Sequence, residues 1–242
     1  MLNFQKHTMY DYINLMQQGE YFTLGKFGDG ELYALFKSLG WMPKNYLGNV
    51  NADRHQYFQT LGEAIHNTFL NEKGYPKLCS EDWYTGKGNG SHTSLLFRKY
   101  VDLYNIQSIQ LHNADIENCF YDCAEKGKLQ VLKDQLEKMN FVMVSESRKR
   151  NLNIKYADFV EIPAVDCWLK KDQIISDILD VYEKYDDVIF GLSAGMPTLP
   201  IQDQLYPIIG KNCWMISFGS IWDPYVNIRS RGYHNRYQSY QL

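Results

Sequence analysis

The sequence predicts an α/β protein, one sheet covered by helices, on three observations. Strand and helix signals alternate along its second half. The runs Phe141-Val142-Met143-Val144 and Val188-Ile189-Phe190 are apolar at every position, as strands covered on both faces must be. No repeat with a period of roughly 20–50 residues and no linker-like tract divides the chain. Residues 1–224 therefore read as one domain, and residues 225–242 as a polar, aromatic tail in irregular coil.

The elements follow in order. Thr8 caps a helix over residues 8–18, with Met9, Tyr12, Ile13 and Met16 on one face and Gly19 at its end. Tyr21–Phe27 reads as a strand running into Gly28-Asp29-Gly30-Glu31, and a helix starts at Glu31. Behind Asp53, the residues Tyr57, Leu61, Ala64, Ile65 and Phe69 mark another helix. Leu78 and Cys79 belong to a strand, residues 86–90 form a glycine loop, and Ser91 caps a helix reaching Tyr104. Then come a strand over 106–111, helices over 114–125 and 129–138, strands over 141–144 and 159–162, and a helix over 172–185. The last elements are a strand over 188–192, a helix from Pro197 to about Tyr206, and a strand over 214–218.

Composition narrows the function classes. A chain of 242 residues with 45% hydrophobic and 22% charged residues lies in the globular range, so it can bury a core and enclose a pocket. The formal net charge of −3 excludes a global basic field for nucleic acid or anionic lipid. No apolar run approaches the roughly 20 residues of a spanning helix, and MLNFQKHTMYDY lacks the apolar core of a leader. A soluble, cytoplasmic protein without a membrane span is expected. The 5 Cys are an odd, scattered set and read as reduced, buried thiols. Tyr is in excess, 19 against 12 Phe, and Tyr can pack while hydrogen-bonding a sugar or a nucleotide.

Three loops at strand ends carry the chemistry, since ligands of open α/β sheets bind at the carboxyl ends of strands. In the first, Asp29 and Glu31 stand two apart, so an extended or turning backbone points both carboxylates one way, toward Mg²⁺ or Mn²⁺ shared with a phosphate. Gly28 and Gly30 allow a ligand to approach the backbone. A plain helix start, with Asp and Glu facing the dipole, fits the same residues. In the second, Gly191 to Thr198, small residues precede Pro197 at a helix start, where backbone N–H groups and the hydroxyls of Ser193 and Thr198 can hold a phosphate beside Gly195. An ordinary tight connection fits equally. In the third, Asp223 before Pro224 projects a carboxylate as a base, a sugar ligand or a turn cap. Behind it Arg229, Arg231, His234 and Arg236 form a small basic patch. The six His show no HExxH spacing, and no GxSxG elbow exists.

Phe27-Gly28-Asp29-Gly30-Glu31 resembles the Arg-(Phe/Tyr)-Gly-Asp-Gly-Glu signature of the bacterial GT-D-type glycosyltransferases, formerly a domain of unknown function, with Lys26 in place of the Arg. Leu192 to Thr198 is similar to that family's Gly-Pro-Thr segment, with one extra residue, and Phe218-Gly219-Ser220 through Asp223 is similar to its Asp-Ile-Gly-His…Asp stretch. The resemblance spans nearly the whole chain in order and spacing. It implies a Rossmann-like, mainly parallel sheet with helices on both faces, in which a DxE pair, Asp29 and Glu31, binds a divalent metal (Mn²⁺ or Mg²⁺) and a nucleotide-sugar diphosphate. A UDP-sugar is the expected donor; the acceptor is a protein, a glycan or a nucleic acid. Asp223 and Glu31 are the expected catalytic residues, and Gly28, Gly30, Ser193, Gly195, Thr198, Arg229, Arg231 and His234 the expected donor contacts. Two alternatives stand beside this reading: a sugar-modifying enzyme of nucleic-acid bases, with Arg229, Arg231 and Arg236 on the phosphate backbone, and a non-catalytic nucleotide-binding module.

Overall fold

The structure, a computed structural model, describes residues 2–42, 55–85, 92–106, 108–229 and 231–238. Asp53, the glycine loop of residues 86–90 and the Ser91 cap lie outside the described residues. In chain order the elements are β1 (Phe4–Gln5), α1 (Met9–Gln17), β2 (Thr23–Lys26), α2 (Asp29–Ser38), α3 (Gln59–Leu70), β3 (Lys77–Cys79), α4 (Glu81–Thr85) and α5 (His92–Leu103). They continue with β4 (Leu111–Asn113), α6 (Phe120–Glu125), α7 (Gln130–Leu136), β5 (Asn140–Ser145), β6 (Asp158–Glu161), α8 (Lys171–Tyr182), β7 (Val188–Leu192), α9 (Thr198–Ile209) and β8 (Trp214–Ser217). Among the described residues no helix is long and apolar enough to cross a membrane.

All eight strands run parallel in the order β1-β4-β3-β2-β8-β7-β5-β6. The two-residue period of a strand sends alternate side chains to opposite faces, and here both are apolar. Phe141 and Met143 pack with Ile189, Trp214 and Ile216 under α1, α6 and α7. Val142 and Val144 pack with Val188, Phe190 and Met215 under α8 and α9, while α2, α3 and α5 share a core with Phe27, Cys79 and Leu111. Gly191 keeps β7 close to its neighbours: a Cβ there would lie 2.6 Å from the Phe218 ring and 2.7 Å from that of Phe141. All five cysteines are buried and free, and burial raises each thiol above its ordinary value.

Several boundaries differ from the sequence reading. The strand expected over 106–111 is only Leu111–Asn113; Ile106 and Ile109 are apolar because they plug the core beneath α5. The helix expected from 114 starts at Phe120, where the Cys119 Sγ accepts the Asp122 N–H, and Asn118 at φ +60° breaks the chain before it. Helix α9 runs past Tyr206 to Ile209 with Pro207 inside its last turn. The tail is no irregular coil. It forms 3-10 turns at Asp223–Val226 and Gly232–Arg236, buries His234 and Tyr237, and is clamped to α6 by Gln238 N–H to Glu125 O at 2.8 Å and by the Arg236–Glu125 ion pair at 2.5 Å.

His112 of β4 carries a pH prediction. It is buried against the Tyr12 hydroxyl and stacked on His7 at 4.3 Å, and burial, then the neighbouring His7, lowers its pKa from 6.5 to about 4. Above about pH 6.5 the ring is neutral folded and unfolded. Below it only the unfolded chain takes the proton, so stability drains as pH falls toward the folded value. The melting temperature should drop across this window, and His112→Gln should flatten the drop; equal pH slopes in both proteins would show that His112 does not set it.

Candidate functional site

The two halves of the sheet meet where β2 lies beside β8. Helix α2, leaving β2, packs on α3 and α5, whereas the segment leaving β8 sends Ile221 and Trp222 into the core of α1, α6 and α7. A crevice must open outside such strand ends, because the connections on either side diverge. It holds a cavity of about 440 Å³ walled by Gly28–Glu31 after β2, Glu146 to Lys149 after β5, Ile162–Val165 after β6, Ser193–Met196 after β7 and Ser217 to Asp223 after β8.

The Gly28–Glu31 turn is built differently from the expected one. Helix α2 starts at Asp29, not at Glu31, so both carboxylates stand in its first turn. Glu31 curls back to accept the Gly28 N–H at 2.8 Å, as a capping residue three places into a helix does, while Asp29 is exposed and accepts the Gly30 N–H at 2.9 Å. Both still line the one cavity. Burial raises the Glu31 carboxyl above its ordinary value, against the pull of the Lys26 ammonium and the Gly28 N–H. A Cβ on Gly30 would lie 3.2 Å from Met196 Cγ, so this turn and the Ser193–Thr198 turn touch.

Gly195 takes φ +65°, where glycine is favoured, and lets His55 pack over it. His55 Nδ1 accepts the Asp166 N–H at 3.1 Å. Ser193 lines the cavity with its hydroxyl buried and without a hydrogen-bond partner. The amino end of α9 lies behind this turn and adds positive potential. Thr198 does not line the cavity, since its Oγ1 accepts the Ala194 N–H at 3.0 Å inside the turn. Neither Arg229 nor His234 lines it; Arg231 does. Arg236 is engaged by Glu125 and Arg231 lines the cavity, so these two members of the expected basic patch serve different places.

Asp223 is held by a partner 74 residues away in sequence. Its Oδ1 accepts from Lys149 Nζ at 2.5 Å, and Glu146 Oε1 stands 3.9 Å from the same ammonium. Glu146 Oε2 in turn accepts from Arg148 Nε at 3.0 Å. Lys26 Nζ lies 4.9 Å from the centroid of the Tyr121 ring and would be 2.7 Å from a Cβ on Gly219, itself at φ +56°. Sequence reading passed over Lys149, Arg148, Glu146 and His55. The run Glu146-Ser147-Arg148-Lys149 directly behind β5 was the available signal, by the strand-end argument that singled out the other loops.

A possible metal must fit these groups. Among the described residues there is no cluster of three His, Cys, Asp or Glu side chains that could hold an ion by itself. Asp29 and Glu31 fit a divalent ion only in the form Mg²⁺ commonly takes, one or two carboxylates completed by substrate phosphate oxygens.

The Lys149–Asp223 pair should be costly to break from one side, because 3% and 13% exposed side chains leave the survivor poorly hydrated. Urea denaturation should show Asp223→Ala losing about 3 kcal/mol and the double variant Lys149→Met/Asp223→Leu recovering most of it. A double variant no more stable than the single one would mean the pair is worth more than its burial costs.

No family model and no curated protein matches the chain. Two solved structures share its architecture. One is a selenomethionine-substituted structure of domain of unknown function 1792, at TM-score 0.60 and 12% identity over 90% of this chain and 79% of that one. The other, at TM-score 0.58 and 11% identity over the same shares, is described as the highly conserved domain of unknown function 1792 with a distinct glycosyltransferase fold. The chain therefore has the glycosyltransferase fold of that domain, the fold implied by the resemblance of Gly28-Asp29-Gly30-Glu31 and the two later segments.

Proposed function

We propose that the chain is a glycosyltransferase that moves a sugar from a nucleotide-diphosphate sugar, with a UDP-sugar as first choice, to an acceptor hydroxyl. One observation carries this reading: where β2 and β8 meet in a glycosyltransferase fold, the Gly28–Glu31, Ser193–Met196 and Gly219–Asp223 segments wall a single cavity that also receives Lys26, Lys149 and Arg231. In the transfer the acceptor oxygen bonds to the anomeric carbon, the bond from that carbon to the diphosphate oxygen breaks, and its electron pair leaves with the diphosphate. The hydroxyl proton goes to a carboxylate.

The residues divide this work. Ser193 and the amino end of α9 hold diphosphate oxygens, and Lys26, Lys149 and Arg231 offset the charge that grows there. Asp29 and Glu31 would hold a Mn²⁺ or Mg²⁺ ion, which when bound neutralises the leaving diphosphate. Of the two carboxylates expected to be catalytic, Glu31 lines the cavity beside Asp29 and would be taken up by the ion. Asp223 lines the same cavity with its carboxylate on Lys149, and is the group proposed to take the acceptor's proton.

A UDP-release assay over a panel of UDP-sugars, with and without Mn²⁺, tests the reading. Wild type should turn over one donor; Asp29→Asn and Glu31→Gln should fall by about 100-fold or more. The Glu31→Gln protein should melt near the wild-type temperature, since Gln in the third helical position still caps Gly28. Full turnover in both variants would make the two carboxylates helix caps and nothing more.

A further inference from the structure

The cavity runs along the sheet, past the carboxyl ends of β2, β8, β7, β5 and β6 in that order. Metal and diphosphate chemistry occupies its β2, β8 and β7 end, through Asp29, Glu31, Lys26, Arg231 and Ser193. Two parts of the opposite end, Glu146 behind β5 and Ile162–Val165 behind β6, have no task in that chemistry.

The sheet register places Glu146, the first residue past β5. Val144 pairs with Leu192 of β7 and Ser145 with Glu161 of β6, so Glu146 emerges between the Ser193 turn and the Ile162–Val165 segment. Its two carboxylate oxygens are used unequally. Oε2 accepts the Arg148 N–H at 2.9 Å and Arg148 Nε–H at 3.0 Å, which fixes the group. Oε1 is buried and has no hydrogen-bond partner, since the Lys149 ammonium at 3.9 Å is too far to donate one. A buried oxygen left so is costly, and a carboxylate can only accept. A ligand group that satisfies it therefore carries a hydroxyl or an N–H, and a phosphate oxygen is repelled.

Beside Glu146 the wall turns apolar. Ile162, Pro163, Ala164 and Val165 line the cavity without a charge, and Val165 is 42% exposed. Such a surface gains from covering by a flat ring and gives a phosphate nothing to bind. The order along the sheet is thus a helix amino end behind β7, a lone acceptor behind β5 and an apolar wall behind β6, at steps of about 4.8 Å. Phosphate, ribose and base follow one another in the same order in a nucleotide. Dinucleotide-binding sheets divide the work alike, with phosphate at a helix start behind one strand and a carboxylate on the ribose hydroxyls. A nucleoside lying toward β6 also sends the donor's sugar the other way, toward β8 and Asp223.

We propose that Glu146 reads the ribose hydroxyls of the donor nucleotide and that Ile162–Val165 carry its base. This rests on the transferase reading, from which it takes the position of the diphosphate. Its mark is a ribose and base selectivity that is separable from phosphate affinity.

Calorimetric titration of the full chain with UDP, 2′,3′-dideoxy-UDP and inorganic pyrophosphate, Mn²⁺ present throughout, tests it. Wild type should bind UDP about tenfold more tightly than the dideoxy nucleotide, the worth of a hydrogen bond to a charged acceptor. Glu146→Gln, which keeps one acceptor, should narrow that gap and Glu146→Ala should close it, both with unchanged pyrophosphate affinity. Val165→Asn, at an exposed position that folding tolerates, should weaken both nucleotides by about fivefold and leave pyrophosphate as it was. Equal binding of the two nucleotides by wild type, or a gap retained in Glu146→Ala, overturns the proposal. So does a loss of pyrophosphate affinity in Glu146→Gln, which would put this residue at the phosphates, and so does unchanged UDP affinity in Val165→Asn. Failure of wild type to bind UDP and pyrophosphate alike overturns the transferase reading as well, whereas tight UDP binding indifferent to Glu146 and Val165 overturns this inference alone.

Discussion

The divergence of the segments that leave the neighbouring strands β2 and β8 is the constraint on which the rest of the molecule depends. Neighbouring parallel strands with diverging connections cannot close the space above their carboxyl ends, and a gap is left there by topology alone. What this chain adds is the lining. Every strand that ends near the gap is followed by a segment that turns back over it, and Met196 against Gly30 locks two of these segments together. Because the gap follows from strand order, side chains around it are free to serve chemistry while packing is carried by the two faces of the sheet.

How much of this could be read beforehand depended on the length of each signal. Strands β5 and β7 declare themselves through runs that are apolar on both faces, and α1 through the Thr8 cap and the spacing of Met9, Tyr12, Ile13 and Met16. Strands β1 and β4 have two and three residues, too few for any periodicity to show. The Gly28–Glu31 turn was readable as a site because Gly-Asp-Gly-Glu is dense in special residues. Its local geometry stood open between a turn pointing both carboxylates one way and a plain helix start, and Glu31, by capping the helix, takes the second and moves the start back to Asp29. Lys149 with Asp223 was invisible for another reason: neither segment is unusual alone, and only the sheet brings them together.

The charges of the cavity are arranged in alternation, Asp223 to Lys149 to Glu146 to Arg148, along one rim. A row of this kind holds cations in place without presenting a bare positive surface. Under the transferase proposal, an arriving diphosphate would meet positioned ammonium and guanidinium groups whose reorganisation is already done, which is the form of electrostatic help that costs least at the moment of bond breaking. It also explains how a chain of net charge −3 can keep four cations around one cavity.

The tail contributes to the site in a way that reaches into synthesis. Tyr237 donates to Ile221 O at 2.9 Å and Tyr233 meets the Ser220 hydroxyl at 2.5 Å, so the loop behind β8 is held by residues that leave the ribosome after it. Strand β2, by contrast, emerges early and waits for β8 as its sheet neighbour while nearly 200 residues are made. Long waits of this kind raise contact order and slow the closing step of folding. The Gly28–Glu31 turn is thus made long before the strand and the segment that complete the wall of its cavity.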